Sequence, residues 1–80
     1  GWDPYKGYQI YSVNQTGFEQ EGDWALSGSG STFIWGYFDS NYRNDFTLEE
    51  AKDFLKHVIS LAAYRDGSSG GVIRMIKITE

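Results

Sequence analysis

Thr47-Leu48-Glu49-Glu50 fixes the start of a helix. A threonine at the cap position accepts a hydrogen bond from the backbone N–H three residues on, and a glutamate there returns the favour to the cap. From this point Leu48, Ala51, Phe54, Leu55, Val58, Ile59 and Ala62 recur at helical spacing and form a continuous apolar stripe. Acid falls early (Glu49, Glu50, Asp53) and base later (Lys56, His57, Arg65), an order that suits the helix dipole. The pattern predicts a helix over Thr47 to Tyr64, ended by Gly67-Ser68-Ser69-Gly70-Gly71. A stripe this long must be covered by another element.

The flanking segments supply candidates for that cover. Phe33, Ile34, Tyr37 and Phe38 lie on one helical face, which predicts a second helix ending near Asn41 with Ser29 or Ser31 as its cap. Upstream, Tyr8 to Val13 alternates as a strand, with Ile10 and Ser12 on one face and Tyr11 and Val13 on the other. Gly1 to Gly7 and Asn14 to Gly17 read as turns, with shorter strands at Phe18–Gln20 and Trp24–Ser27. Val72 to Ile78 reads as a last strand, its alternation broken because Arg74 and Lys77 are not two apart. The order is strands, helix, helix, strand, hence class α+β.

Composition narrows the function. At 80 residues the chain is one small domain or a piece of one, and alone it buries only about 60% of its unfolded surface. It has no cysteine and one histidine, so neither a disulfide framework nor a cysteine-ligated zinc site is available. No cofactor or metal is expected. With 18% aromatic residues, the chain carries surface suited to cover by something outside it. The net charge of −4 and the lack of a basic stripe argue against nucleic-acid binding. No apolar run approaches the roughly 20 residues of a membrane helix, and Gly1-Trp2-Asp3-Pro4 does not open a signal peptide. The lack of a starting methionine and the end at Thr79-Glu80 point to a fragment, a single partial domain over residues 1–80.

Two Gly/Ser loops stand out. Gly28-Ser29-Gly30-Ser31 joins a strand to a helix and reads either as a tight turn with a serine cap or as backbone donors for an anion; no lysine follows to make it a P-loop. Asp66-Gly67-Ser68-Ser69-Gly70-Gly71 sets a carboxylate at a helix C-terminus, against the dipole. It reads either as an ordinary turn or as a carboxylate–hydroxyl group that orients a nucleophile supplied from elsewhere. His57 lies on a helix face without ligand-spaced partners, and Glu49, Glu50 and Asp53 read as a solvated acidic face. Phe33, Trp35, Tyr37 and Phe38 suit core or interface packing better than base stacking.

Asp66-Gly67-Ser68-Ser69-Gly70-Gly71-Val72-Ile73-Arg74, preceded by Ser27-Gly28-Ser29-Gly30-Ser31-Thr32-Phe33-Ile34-Trp35-Gly36-Tyr37, closely resembles the beta subunits of the 20S proteasome. The first run, with Gly1-Trp2-Asp3 and Gly7 to Val13, looks most like the caspase-like catalytic class, immune-type variant included. The resemblance covers essentially the whole chain. It implies the C-terminal part of a four-layer αββα N-terminal-nucleophile hydrolase sandwich and a threonine endopeptidase that cleaves after acidic residues. It implies partners among the other proteasome alpha and beta subunits, unfolded polypeptide substrates, and a place in cytoplasm and nucleus. On matching positions Asp66 and Ser69 would hold the amino end of the nucleophilic threonine, with Ser29 in the same network. The family's threonine has no counterpart at residue 1, which is glycine, and its lysine, early aspartate and basic specificity residue belong to an N-terminal half not represented here. The competing readings are a structural proteasome subunit that contributes ring contacts only and a free-standing binding module.

Overall fold

The structure, a computed structural model, describes residues 1–80. Four short strands precede two helices: β1 Trp2–Asp3, β2 Gly7–Tyr8, β3 Ile10–Val13, β4 Glu19–Gly22, α1 Ser31–Asn41 and α2 Leu48–Arg65. They fall into two compact units, residues 1–25 with 76–80, and residues 26–75.

The first unit holds two antiparallel hairpins. In β1–β2, Trp2 faces Tyr8 and Asp3 faces Gly7. The Asp3 carboxylate closes the turn by accepting from the backbone N–H groups of Tyr5 (2.8 Å) and Lys6 (2.7 Å) and from the Gln9 amide. Gly7 has φ +74°, a conformation open to glycine and costly for other residues. The segment expected to be only a turn is therefore a small hairpin, and the Tyr8–Val13 strand is split between two sheets. In β3–β4, Ile10 faces Gly22 and Val13 faces Glu19. Asn14 shapes that turn: its side-chain oxygen accepts from the N–H groups of Thr16 and Phe18 (both 3.0 Å) and from the Thr16 hydroxyl (2.7 Å). The returning strand is Glu19–Gly22, which starts one residue later and ends two residues later than the pattern indicated.

Two expected strands are not formed. Trp24–Ser27 and Val72–Ile78 take part in no ladder. Alternation makes a segment fit to pair, but a strand exists only through the hydrogen bonds of a neighbour.

The second unit is a helical hairpin. Thr47 caps α2 as expected: its hydroxyl accepts from Glu50 N–H (3.2 Å) while its own N–H donates to the Glu50 carboxylate (3.0 Å). Arg43 also binds that carboxylate at 2.6 Å and lies 4.9 Å from the Phe46 ring, which ties the interhelical loop to α2. Ile34 and Phe38 of α1 and Val58 and Ala62 of α2 are the buried core. Phe54 extends it, its ring 5.0 Å from those of Phe38 and Phe46. The apolar stripe of α2 is only partly buried: Leu48, Leu55 (41% exposed) and Ile59 (43%) face away from cover. The stripe is wider than one neighbouring helix can shield. Likewise Phe33 and Trp35 of α1 are exposed, not core residues, and His57 is an exposed neighbour of the Tyr37 ring at 5.3 Å.

Candidate functional site

The helical hairpin brings its two Gly/Ser loops together, one before α1 and one after α2. Asp66 is the C-cap of α2; its N–H still donates to Ala62 C=O at 2.9 Å, while its backbone has turned extended. This turn frees the carboxylate to swing back over the helix end. Ser69 N–H donates to Asp66 C=O (3.0 Å), which folds the following residues into a tight turn. On the other side Gly28, at φ +96°, reverses the chain into the start of α1.

The Asp66 carboxylate joins the loops. One oxygen, Oδ2, accepts from the Ser29 hydroxyl at 2.5 Å and the Ser69 hydroxyl at 2.7 Å. The other, Oδ1, accepts from Ser68 N–H at 3.1 Å. Ser29 and Asp66 lie 37 residues apart in sequence, so this contact is a product of the fold. The three expected site residues, Asp66, Ser69 and Ser29, therefore lie within one hydrogen-bond network. Asp66 and Ser69 are half-buried and Ser29 is exposed.

The electrostatics follow from these donors. The Ser29 hydroxyl, then the Ser69 hydroxyl, then Ser68 N–H hold the Asp66 carboxyl below the ordinary aspartate value, against a smaller opposing effect of desolvation. The unfavourable placement at the negative helix end is thus offset by three donors, two from the same loop and one from the loop before α1. A carboxylate offers about four acceptor positions, and these bonds take three. Each serine that donates its proton to Asp66 keeps lone pairs on its oxygen. The cluster is accordingly rich in acceptors, suited to a cationic or proton-sharing amine.

The expected serine cap of α1 is not made. Gly30 occupies the cap position and supplies no side-chain bond. Ser31 donates to Gly28 C=O at 2.7 Å, and Ser29 is committed to Asp66. Tertiary demand has displaced the local rule. Gly30 itself was not singled out by sequence reasoning, although it is buried at the centre of the junction. Glycine is itself an accepted cap residue, so the sequence carried little signal for it. Side chains of the usual metal-ligand types form no group of three placed to hold an ion, and no helix is long and apolar enough to cross a membrane.

A proteasome subunit family model matches residues 1–78. The chain is 46% identical over 79 residues to the Saccharomyces cerevisiae protein named proteasome subunit beta type-1, covering 99% of this chain and 37% of that protein. It is 42% identical over 78 residues to the Arabidopsis thaliana proteasome subunit beta type-6, covering 98% and 34%. It is 46% identical over 79 residues to the human proteasome subunit beta type-9, covering 99% and 36%. The chain thus spans a little over a third of the length of the curated relatives it matches. With almost every residue matched and these relatives named as beta subunits, the chain belongs to the proteasome beta subunit family.

Proposed function

We propose that the chain is part of a catalytic beta subunit of the proteasome core, a threonine endopeptidase that degrades unfolded polypeptides and cleaves after acidic residues. The observation that carries this reading is the Asp66 carboxylate, which gathers the Ser29 and Ser69 hydroxyls from loops far apart in sequence. A purely structural subunit has no need of an anionic acceptor cluster at a helix end that disfavours negative charge.

The chemistry is that of an amino-terminal threonine contributed by residues outside this chain. Its hydroxyl attacks the peptide carbonyl, its own amino group and a lysine assist, and water releases the acyl-enzyme. The residues present here act on the amino end. Asp66 accepts from or faces the amine, and it aims the Ser29 and Ser69 hydroxyls so that their oxygen lone pairs remain available to the same group. Fixing the amine fixes the hydroxyl beside it, and orientation of this kind lowers the barrier before any bond is made. In this reading residues 1–80 form one partial domain within a four-layer αββα sandwich. The partners are the other alpha and beta proteasome subunits. The setting is cytoplasmic and nuclear, within ubiquitin-dependent degradation. The post-acidic preference rests on the kinship with the caspase-like class.

The test is turnover of an acidic-residue peptide by assembled particles that carry Asp66→Asn. The expected result is intact assembly with turnover lowered on the order of 10²-fold, by analogy with orienting carboxylates elsewhere. Unaltered turnover would favour the structural-subunit reading.

A further inference from the structure

We propose that Gly30 is a positioning residue of the amine-binding site, one whose missing side chain keeps the Ser69 hydroxyl on Asp66. The inference rests on the catalytic reading above and extends it to a residue that touches no reacting atom.

Backbone conformation does not explain this glycine. Gly30 has φ −78° and ψ −14°, an ordinary right-handed helical geometry that any L-residue adopts. Gly28 and Gly71 differ, with φ of +96° and +87° and open space where a side chain would stand. Capping does not explain it either, since serine, asparagine or aspartate would serve that position slightly better and Gly30 supplies no side-chain cap bond.

Space does explain it. A Cβ added to Gly30 would lie 2.9 Å from Ser69 Oγ, 3.2 Å from Ala62 Cβ and 3.6 Å from Asp66 Oδ2. Of these neighbours, Ala62 is buried in α2 and yields only by small shifts of the helix. Asp66 is held by three donors. Ser69 Oγ is the atom free to leave, by rotation about χ1, and it leaves by giving up its 2.7 Å bond to Asp66. No other glycine of the chain is so confined: the remaining ones have nothing within ordinary contact, except Gly22 at 3.5 Å from Trp24 C=O. An alanine at position 30 therefore acts as a selective removal of the Ser69 bond.

The experiment uses assembled particles with the full-length subunit carrying Gly30→Ala, Ser69→Ala, both changes, or Asp66→Asn. It measures kcat and KM on an acidic-residue peptide together with the thermal midpoint. A hydrogen bond to a charged group such as the Asp66 carboxylate contributes about 1.5–3 kcal/mol, which at about 1.4 kcal/mol per decade gives a loss of roughly ten- to a hundredfold in kcat. Gly30→Ala and Ser69→Ala are expected to lose kcat by this same factor with KM within about twofold, and the double variant to lose no more than Ser69→Ala alone. Should Gly30→Ala fail to assemble while the double variant assembles and matches Ser69→Ala, the steric coupling is equally established. Losses that multiply in the double variant overturn the inference, as does unchanged kcat in Gly30→Ala. Failure of both Gly30 variants to assemble also overturns it, because the glycine then serves the fold. Asp66→Asn separates the two levels. Full turnover there removes the catalytic reading and this inference with it, whereas impaired Asp66→Asn beside normal Gly30→Ala removes this inference alone.

Discussion

Asp66 carries its charge at the end of α2 where a carboxylate is disfavoured, and two hydroxyls and an N–H hold it there. Because the donors favour the ionised form, the folded pKa lies below the ordinary value near 3.8. The sign is fixed by this direction: the contribution is fully present above the ordinary aspartate value and is lost as pH falls through the lower folded value. Site geometry should thus persist through mildly acidic buffer. The Asp66 carboxyl carbon, followed by NMR in the full-length subunit, should titrate with a midpoint below 3.8, and Ser29→Ala should move that midpoint upward. A midpoint above 3.8 would contradict the network. Ser29→Ala should also reduce turnover less than Asp66→Asn, since removing one neutral donor costs less than removing the charge that organises both hydroxyls. Equal losses would place Ser29 nearer the reacting atoms than a supporting donor to Asp66. At this scale little was readable from pattern alone. Each loop taken singly is an ordinary Gly/Ser turn, and the bond from Ser29 to Asp66 crosses 37 residues that local rules do not span. The grouping became visible only through the resemblance of both loops to one family.

The helices show the opposite balance. Every bond of the Thr47 capping box falls within four residues, so threonine and glutamate at the right spacing suffice to predict it. Thr47→Ala should cost about 1 kcal/mol of local stability, read as roughly fivefold faster hydrogen exchange of the Glu50 amide in the assembled subunit. Unchanged exchange would mean that Arg43 and the loop, not the cap, hold this end. Glu50 adds to that end: Thr47 N–H, then Arg43, hold its carboxyl below the ordinary glutamate range, so the box survives down to acid pH. The strand expectations failed for a matching reason. Val72–Ile78 has the side chains of a strand, but the alternation says nothing about which edge it meets. The cap of α1 failed because Ser29 found a partner outside the helix.

At the scale of the whole molecule, burial is what the 80 residues lack. The buried hydrophobic core comprises Ile34, Phe38, Val58 and Ala62, all in the helical hairpin. Around it Leu48, Leu55 and Ile59 leave a second apolar face of α2 in water, and Phe33 and Trp35 stand out from α1. In the other unit each sheet has two strands, Val13 is 67% exposed and Ile76 89%. Two-stranded sheets without a covered face are marginal in water, and with its buried hydrophobic core confined to Ile34, Phe38, Val58 and Ala62 this chain has little burial to offset its lost conformational entropy without help. No disulfide supplies that help. Apolar area left open on both units favours association over a dispersed monomer. The purified 80-residue polypeptide should therefore show no cooperative thermal transition as a monomer, should bind a hydrophobic dye, and should sediment as larger species at micromolar concentration. Co-expression with the remainder of a beta subunit should suppress dye binding, because the exposed faces of α2 and of the hairpins then gain cover. A sharp, reversible unfolding transition of the monomeric polypeptide, with heat uptake in proportion to its length, would show that the helical hairpin and the small sheets hold themselves together, against this expectation.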